Sequence, residues 1–460
     1  MLVKKSNRAI NANDGFLERT FKLSESNTTI KTEIIAGITT FLTMAYIIAV
    51  NPDFLSQTGM DKGAVLTATC LTAGLTTIFM GIYANLPFSL ASGMGLNAFF
   101  AFTVCGAMKI PWQVALTAVF LEGIIFIILS LTKIREIVVN SIPTSLKIAV
   151  SAGIGLFIAF IGFQNAGIVI NDNATLVTLG TFKDPRAVIS IIGIIIIGIL
   201  IHKKVKGAML CGILSCTIIS WIYALIIGPA KAAETYKIFL PTGLFGVHSI
   251  APIAGKLDFS VFTTIKGVAM IISVLLTFLF VDFFDTVGTL VGVASKANMV
   301  DENGNVLRAR QALLVDSIGT TMGALIGVST VTTYVESSAG VAEGGRTGLT
   351  SIMSGILFLF AALFAPIFMA IPSCATAPAL IIVGLLMMQN ITKIDFYNYT
   401  EAIPVFLTII LMPLTYSIAT GLMFGVVSYV LFNLFCRKKE NVSMTLIILA
   451  LIFILRFISI

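Results

Sequence analysis

The sequence predicts an all-α polytopic membrane protein of about 14 transmembrane segments, arranged as two inverted seven-span repeats. Three observations carry that prediction. Hydrophobic residues make up 57% of the chain, charged residues only 11%, and mean hydropathy is +1.01. Apolar blocks recur at about the twenty-residue length that takes a helix across hydrocarbon. Two pairs of motifs also reappear in the same order in the two halves.

In chain order, Met1 to Lys31 is polar and mixed in charge, with no short apolar core ahead of a small-residue site. It reads as a cytoplasmic amino-terminal segment, 1–31, and not as a cleavable signal. Apolar blocks bounded by charge, Pro or Gly then place spans near 32–50, 64–84, 88–104, 112–131, 143–163, 186–202 and 207–228. After an extracytoplasmic loop, 229–261, they place spans near 262–283, 309–327, 330–346, 349–370, 374–390, 402–416 and 418–436. The first repeat is thus 32–228, the second 262–436, and 437–460 is a carboxy-terminal segment. Its apolar part, 443–459, carries Arg456 and suits either a short span or an interfacial helix. With the amino terminus inside, most of the 29 Lys and Arg residues fall in cytoplasmic segments, the bias that sets orientation.

The repeat shows in Ile142-Pro143-Thr144 with Gly155 against Ile371-Pro372-Ser373 with Gly384. The Pro-to-Gly spacing is 12 in both, 155 − 143 and 384 − 372. KGAMLCGILS from Lys206 likewise matches TGLMFGVVS from Thr420 with one gap. Seven spans is an odd number, so the second copy enters the membrane from the opposite side. That is the architecture of secondary transporters whose site lies at the midplane between repeats.

Spans 3 and 10 are interrupted. FSLASGMGLNAFFAF follows Pro87, and VSTVTTYVESSAGVAEGG follows Gly327. Each starts with a short strand-like stretch and passes through a break into half a helix. Irregular backbone at this depth survives only where protein or a cavity satisfies its polar groups. Half-helix amino termini then offer free N–H donors to a ligand.

Carboxylates within such segments are costly and mark transport routes. Asp282 and Asp285, three apart in FVDFFDTVGT, share a helical face. Asp285 is the better ligand candidate, because Thr286, Gly288 and Thr289 follow it; Asp282 also suits a structural pairing, for example with Lys296. Glu336 sits at the second break beside Thr332, Thr333, Ser337 and Ser338, where it suits either a proton-carrying ligand group or a cap on the following half-helix. In GMGLN, Gly95 permits backbone approach and Asn97 offers donor and acceptor to a planar heterocycle. Tyr334 and phenylalanines including Phe284 are candidates to stack on an aromatic ligand, although most such rings pack or face lipid.

Other classes fall away. The net charge of +7 is scattered through loops, which excludes a nucleic-acid face. The six cysteines show no CxxC and read as buried small hydrophobes; His202 and His248 are too few for a metal site. No cofactor is expected.

TEIIAGITTFLTMAYIIAVNP from Thr32, LPFSLASGMGLNAFFAF, FVDFFDTVGTLVGVASKA, TTYVESSAG and EAIPVFLTIILMPLTYSIATG resemble the AzgA-like purine nucleobase permeases, related to the uracil and xanthine permeases. The resemblance covers nearly the whole chain. It implies core and gate domains built from the two repeats, proton-coupled purine uptake, and a cell-membrane location. By motif position it implies Asp285 and Glu336 as the acids of spans 8 and 10, with Gly95 and Asn97 as substrate contacts of span 3. Thr289 stands where some uracil permeases carry a histidine, so no histidine relay is implied.

The expected function is therefore proton-coupled uptake of purines, hypoxanthine and guanine ahead of adenine, with Glu336, Asp285 or Asp282 taking the proton. Thr332, Thr333, Ser337, Thr289 and Phe284 stand as secondary site candidates. Expected partners are a purine, protons and the lipid bilayer, with a homodimer left open. An adenine-preferring permease is the near alternative. An anion transporter of the same architecture is disfavoured by the acids, and an intramembrane aspartyl protease by the missing GxGD.

Overall fold

The computed structural model describes residues 15–132, 143–297, 299, 306–436 and 442–459. Among these, eight helices are long and apolar enough to cross a membrane, and four shorter apolar helices accompany them. The first predicted span is two helices, α1 (Ile30–Met44) and α2 (Ile47–Leu55), separated by Ala45 and Tyr46. Helix α3 (Lys62–Phe79) follows, running on to Ala84 in wider turns. Strand β1 (Leu90–Ser92) then leads into α4 (Met94–Ala98), which likewise continues in wider turns to Ala107. Helices α5 (Trp112–Leu131) and α6 (Thr144–Asn165) come next.

A hairpin of β2 (Val169–Asp172) and β3 (Leu176–Leu179) precedes α7 (Pro185–His202) and α8 (Ala208–Ile227). The hairpin turn is closed by the Asp172 carboxylate, held below its ordinary range by the backbone N–H groups of Thr175 and Ala174 and by the Thr175 hydroxyl.

The second half holds α9 (Ile265–Lys296), α10 (Ala309–Ile326), β4 (Val331–Thr333), α11 (Ser337–Ala342) and α12 (Gly348–Ala361). It ends with α13 (Ser373–Met388), α14 (Tyr399–Leu414) and α15 (Ile418–Phe435). The terminal apolar piece is a helix, α16 (Met444–Ser459), packed on α15. Two expectations change here. Helix α9 does not stop near residue 283 but continues to Lys296, so Asp282 and Asp285 lie inside a helix and not at its end. Cys211 and Cys436 are exposed; Cys70, Cys216 and Cys374 are buried as expected.

Two sets of helices pack densely among themselves. One joins α1 to α5 with α9 to α12; the other joins α6 to α8 with α13 to α15. Their close crossings are made by glycines. In the second set a Cβ on Gly155 of α6 would come within 2.7 Å of the Gly384 carbonyl oxygen and of Met387 Cβ on α13. In the first set Gly37 of α1 faces Thr350 and Met353 of α12. Small residues at such contacts let backbones approach where lipid gives no hydrophobic drive.

The buried acid Glu33 of α1, which the sequence reading did not single out, accepts from the backbone N–H groups of Arg346, Thr347 and Thr350 and from the Thr350 hydroxyl. It thereby neutralises the amino-terminal end of α12, where free donors and the helix dipole favour negative charge.

Candidate substrate site at the strand crossing

The two interrupted segments meet. Strands β1 and β4 pair antiparallel, Leu90 opposite Thr333, Ala91 opposite Thr332 and Ser92 opposite Val331. Beyond the strands, Gly93 N–H donates to the Thr330 carbonyl and Tyr334 N–H to the Ser89 carbonyl. A two-stranded pair still leaves both outer edges unpaired, which at membrane depth is costly. One hydroxyl closes each edge. Thr77 of α3 serves both the N–H and the C=O of Leu90, at 2.9 and 3.0 Å; Thr320 of α10 serves those of Val331, at 3.2 and 3.0 Å.

Asn97 holds the junction together. It is fully buried, and its Oδ1 accepts from the hydroxyls of Ser92 and Ser329 while its Nδ2 donates to the Ser92 carbonyl. Hydroxyls from both strand ends thus bond the oxygen of the amide that the sequence offered as a ligand contact. Gly95 is likewise turned from open space: a Cβ there would lie 2.6 Å from a methyl of Ile154 on α6. Its smallness lets the two helix sets touch.

The predicted acids do come together. Asp285 of α9 lies within electrostatic reach of both Asp282 and Glu336, and Tyr46 and Tyr334 lie within reach of Asp285 and Glu336. Asp285 and Glu336 are each only half-buried, whereas Asp282 is fully buried. Glu336 stands at the amino-terminal cap position of α11 yet makes no side-chain cap bond, so it is not spent on its own helix. Its Oε1 accepts instead from the Tyr46 hydroxyl at 2.6 Å. Tyr334, beside it in sequence, turns its hydroxyl to the Ser92 carbonyl at 2.5 Å.

Asp282 belongs to a second, deeper polar group. The Thr286 hydroxyl lies 3.0 Å from Asp282 Oδ1, 3.2 Å from Asp316 Oδ2 and 3.0 Å from the Thr332 hydroxyl. Glu122 of α5 accepts from Thr330 at 2.7 Å. Of the secondary candidates, Thr332 and Ser337 are thus engaged in structure, the latter accepting from Ser89 N–H at 2.9 Å. The hydroxyl of buried Thr333 makes no hydrogen bond among the described residues, and Thr289 is half-buried on α9. The Phe284 side chain lies outside the described residues.

Sequence reasoning missed Tyr46, Glu122 and Asp316. The acids were legible by the rule that found Asp282: Glu122 interrupts WQVALTAVFLEGIIFIILSL and Asp316 interrupts ALLVDSIGT. Tyr46 gave no signal, since one tyrosine in an apolar span reads as packing.

Comparison with known proteins now decides the family. Residues 31–424 match the model of the xanthine/uracil permeases, described as a permease family. The chain belongs to this family. It is a multi-pass membrane transporter and not an enzyme. The guanine/hypoxanthine permease PbuG of Bacillus subtilis is 45% identical over 95% of this chain and 98% of that protein. The adenine permease AdeP of Escherichia coli K12 is 40% identical over 97% of each. Among solved structures, the transmembrane domain of the cyanobacterial bicarbonate transporter BicA superposes with a TM-score of 0.63 at 15% identity, covering 86% of this chain and 97% of that one, which shows a shared fold.

Proposed function

We propose that this permease imports purine nucleobases across the cell membrane together with protons, hypoxanthine and guanine ahead of adenine, with its amino terminus in the cytoplasm. The observation that carries the reading is the pair of half-buried carboxylates, Asp285 and Glu336, brought within electrostatic reach of each other near the crossing of β1 and β4. The relatives named for guanine and hypoxanthine and for adenine support the substrate class. The 45% and 40% identities lie too close to choose between the bases by likeness alone.

A purine is flat and presents N–H donors and acceptors around its edge. Two carboxylates on different elements accept N–H groups at fixed angles, and a base with the wrong edge leaves a buried group unpaired, which is costly. The same carboxylates disfavour an anion such as the bicarbonate that BicA's name records. Asn97 and Gly95 act behind them, the amide locking the strand junction and the glycine seating the core on the gate. Proton coupling follows if protonation of Glu336, Asp285 or Asp282 changes affinity for the base between outward and inward states.

The proposed architecture is two inverted seven-span repeats, 32–228 and 262–436, whose spans regroup as a core, the first helix set, and a gate, the second. Three features support it: β1 and β4 come from corresponding segments and run antiparallel, Thr77 and Thr320 close their edges alike, and Gly155 and Gly384 cross each other. Transport then rocks core against gate around the carboxylates.

Uptake of labelled hypoxanthine tests the reading. Asp285→Asn and Glu336→Gln each remove a charge-assisted hydrogen bond worth about 1.5–3 kcal/mol, so uptake should fall roughly ten- to a hundredfold with membrane insertion intact. Full uptake by both variants removes the site. Competition by unlabelled adenine, guanine, xanthine and uracil ranks the bases, and adenine as the strongest competitor would make this an adenine permease. Hypoxanthine added to proteoliposomes should acidify the lumen; no acidification at saturating base rejects proton coupling.

A further inference from the structure

We propose that Tyr46 is a positioning residue for Glu336, fixing which carboxylate oxygen is presented to the base. The inference rests on the reading of Glu336 as a base-binding carboxylate.

Tyr46 is 1% exposed and lies at the break between α1 and α2, 290 residues before Glu336 in sequence. Its only hydroxyl hydrogen is committed to Glu336 Oε1 at 2.6 Å, in the range of charge-assisted O–H···O bonds. The terminal torsion of a glutamate is broad and nearly two-fold, so without a partner the two oxygens exchange places freely. The Glu336 backbone N–H is the other donor that bears on this carboxylate, and the side chain makes no cap bond to α11. Among the described residues no other side chain hydrogen-bonds this carboxylate. Tyr46 therefore holds Oε1 and leaves Oε2 to meet an N–H of the base.

The break in the first span has a function on this account. The turn at Ala45 and Tyr46, both with near-helical backbone angles, carries the phenol that reaches Glu336.

The test is Tyr46→Phe in the full-length protein, which keeps the ring and deletes the donor. KM for labelled hypoxanthine should rise about tenfold, the ratio that corresponds to 1.4 kcal/mol, while Vmax and thermal stability in detergent stay near wild type. Glu336→Asp, which keeps the charge but shortens the reach to Tyr46, should raise KM in the same way. In calorimetric titrations with hypoxanthine, adding Tyr46→Phe to Glu336→Asp should cost nothing further, since the shared bond is already gone. An unchanged KM in Tyr46→Phe, or a loss confined to Vmax and stability, overturns the proposal. If Glu336→Gln retains full uptake, the substrate site itself has failed; if Glu336→Gln is inactive while Tyr46→Phe behaves as wild type, only the role of Tyr46 has.

Discussion

Asn97 shows how a polar residue found by its sequence context can have partners that the context does not name. An amide in a glycine-rich break of an apolar span has to bond to something, and the sequence offered a ligand as the partner. The structure supplies Ser92 and Ser329, one from each strand end. Replacing Asn97 by Ala removes the acceptor these buried hydroxyls share, at a cost of about 1–3 kcal/mol. The midpoint of thermal unfolding in detergent should drop accordingly, and Asn97→Asp, which restores an acceptor, should recover part of it. Acids within the spans divide in the same way. The rule that an acid in a span marks a route finds Asp285 and Glu336, but it would equally flag Glu33, whose carboxylate caps α12. Only the partners separate the cases, and those come from residues some 300 positions away.

At the scale of elements, length and hydropathy were sufficient to find the helices, because burial in lipid demands both and little else. Strands in spans 3 and 10 were also legible, from β-branched and hydroxylic residues followed by glycines. Their mutual pairing was not, since nothing local records that Ala91 lies opposite Thr332. Nor was the break at Tyr46, where the apolar pattern runs on without interruption. The glycine spacing carried more than it first showed. Gly155 and Gly384 were matched as equivalent positions of a repeat, and they meet at the crossing of α6 and α13. A Cβ at Gly155 meets backbone, which cannot swing aside as a side-chain tip can. Gly155→Ala should therefore force the helices apart and destabilise the protein by about 1–3 kcal/mol, the usual range for overpacking. Gly198, with nothing within 4 Å of a built Cβ, is the control; Gly198→Ala, which meets no neighbour and gains helix propensity, should not lower the unfolding midpoint.

For the molecule as a whole, the question is what holds the two helix sets in this arrangement. At one end, Lys206 between α7 and α8 pairs with Glu343 after α11 at 2.6 Å, joining the second helix set to the first. At the opposite end of the first span, Thr376 of α13 donates to Asp53 of α2, and Thr103 donates to the Tyr416 carbonyl. The ion pair is partly exposed, its side chains 49% and 29% accessible, so screening limits it to about 0–1 kcal/mol. A contact of that strength suits the proposed rocking of one set against the other, in which it would break and re-form, as a strong buried pair would not. Lys206→Ala should accordingly change Vmax for hypoxanthine by no more than about threefold with KM unaltered, because less than 1 kcal/mol is at stake. Charge reversal in Glu343→Lys replaces attraction by repulsion and should disturb Vmax more than Lys206→Ala does. The exchanged pair, Lys206→Glu with Glu343→Lys, should return it toward wild type, and rising salt should diminish the difference among all of these variants. Identical rates in the single and exchanged variants at low salt would mean that this pair plays no part in the movement.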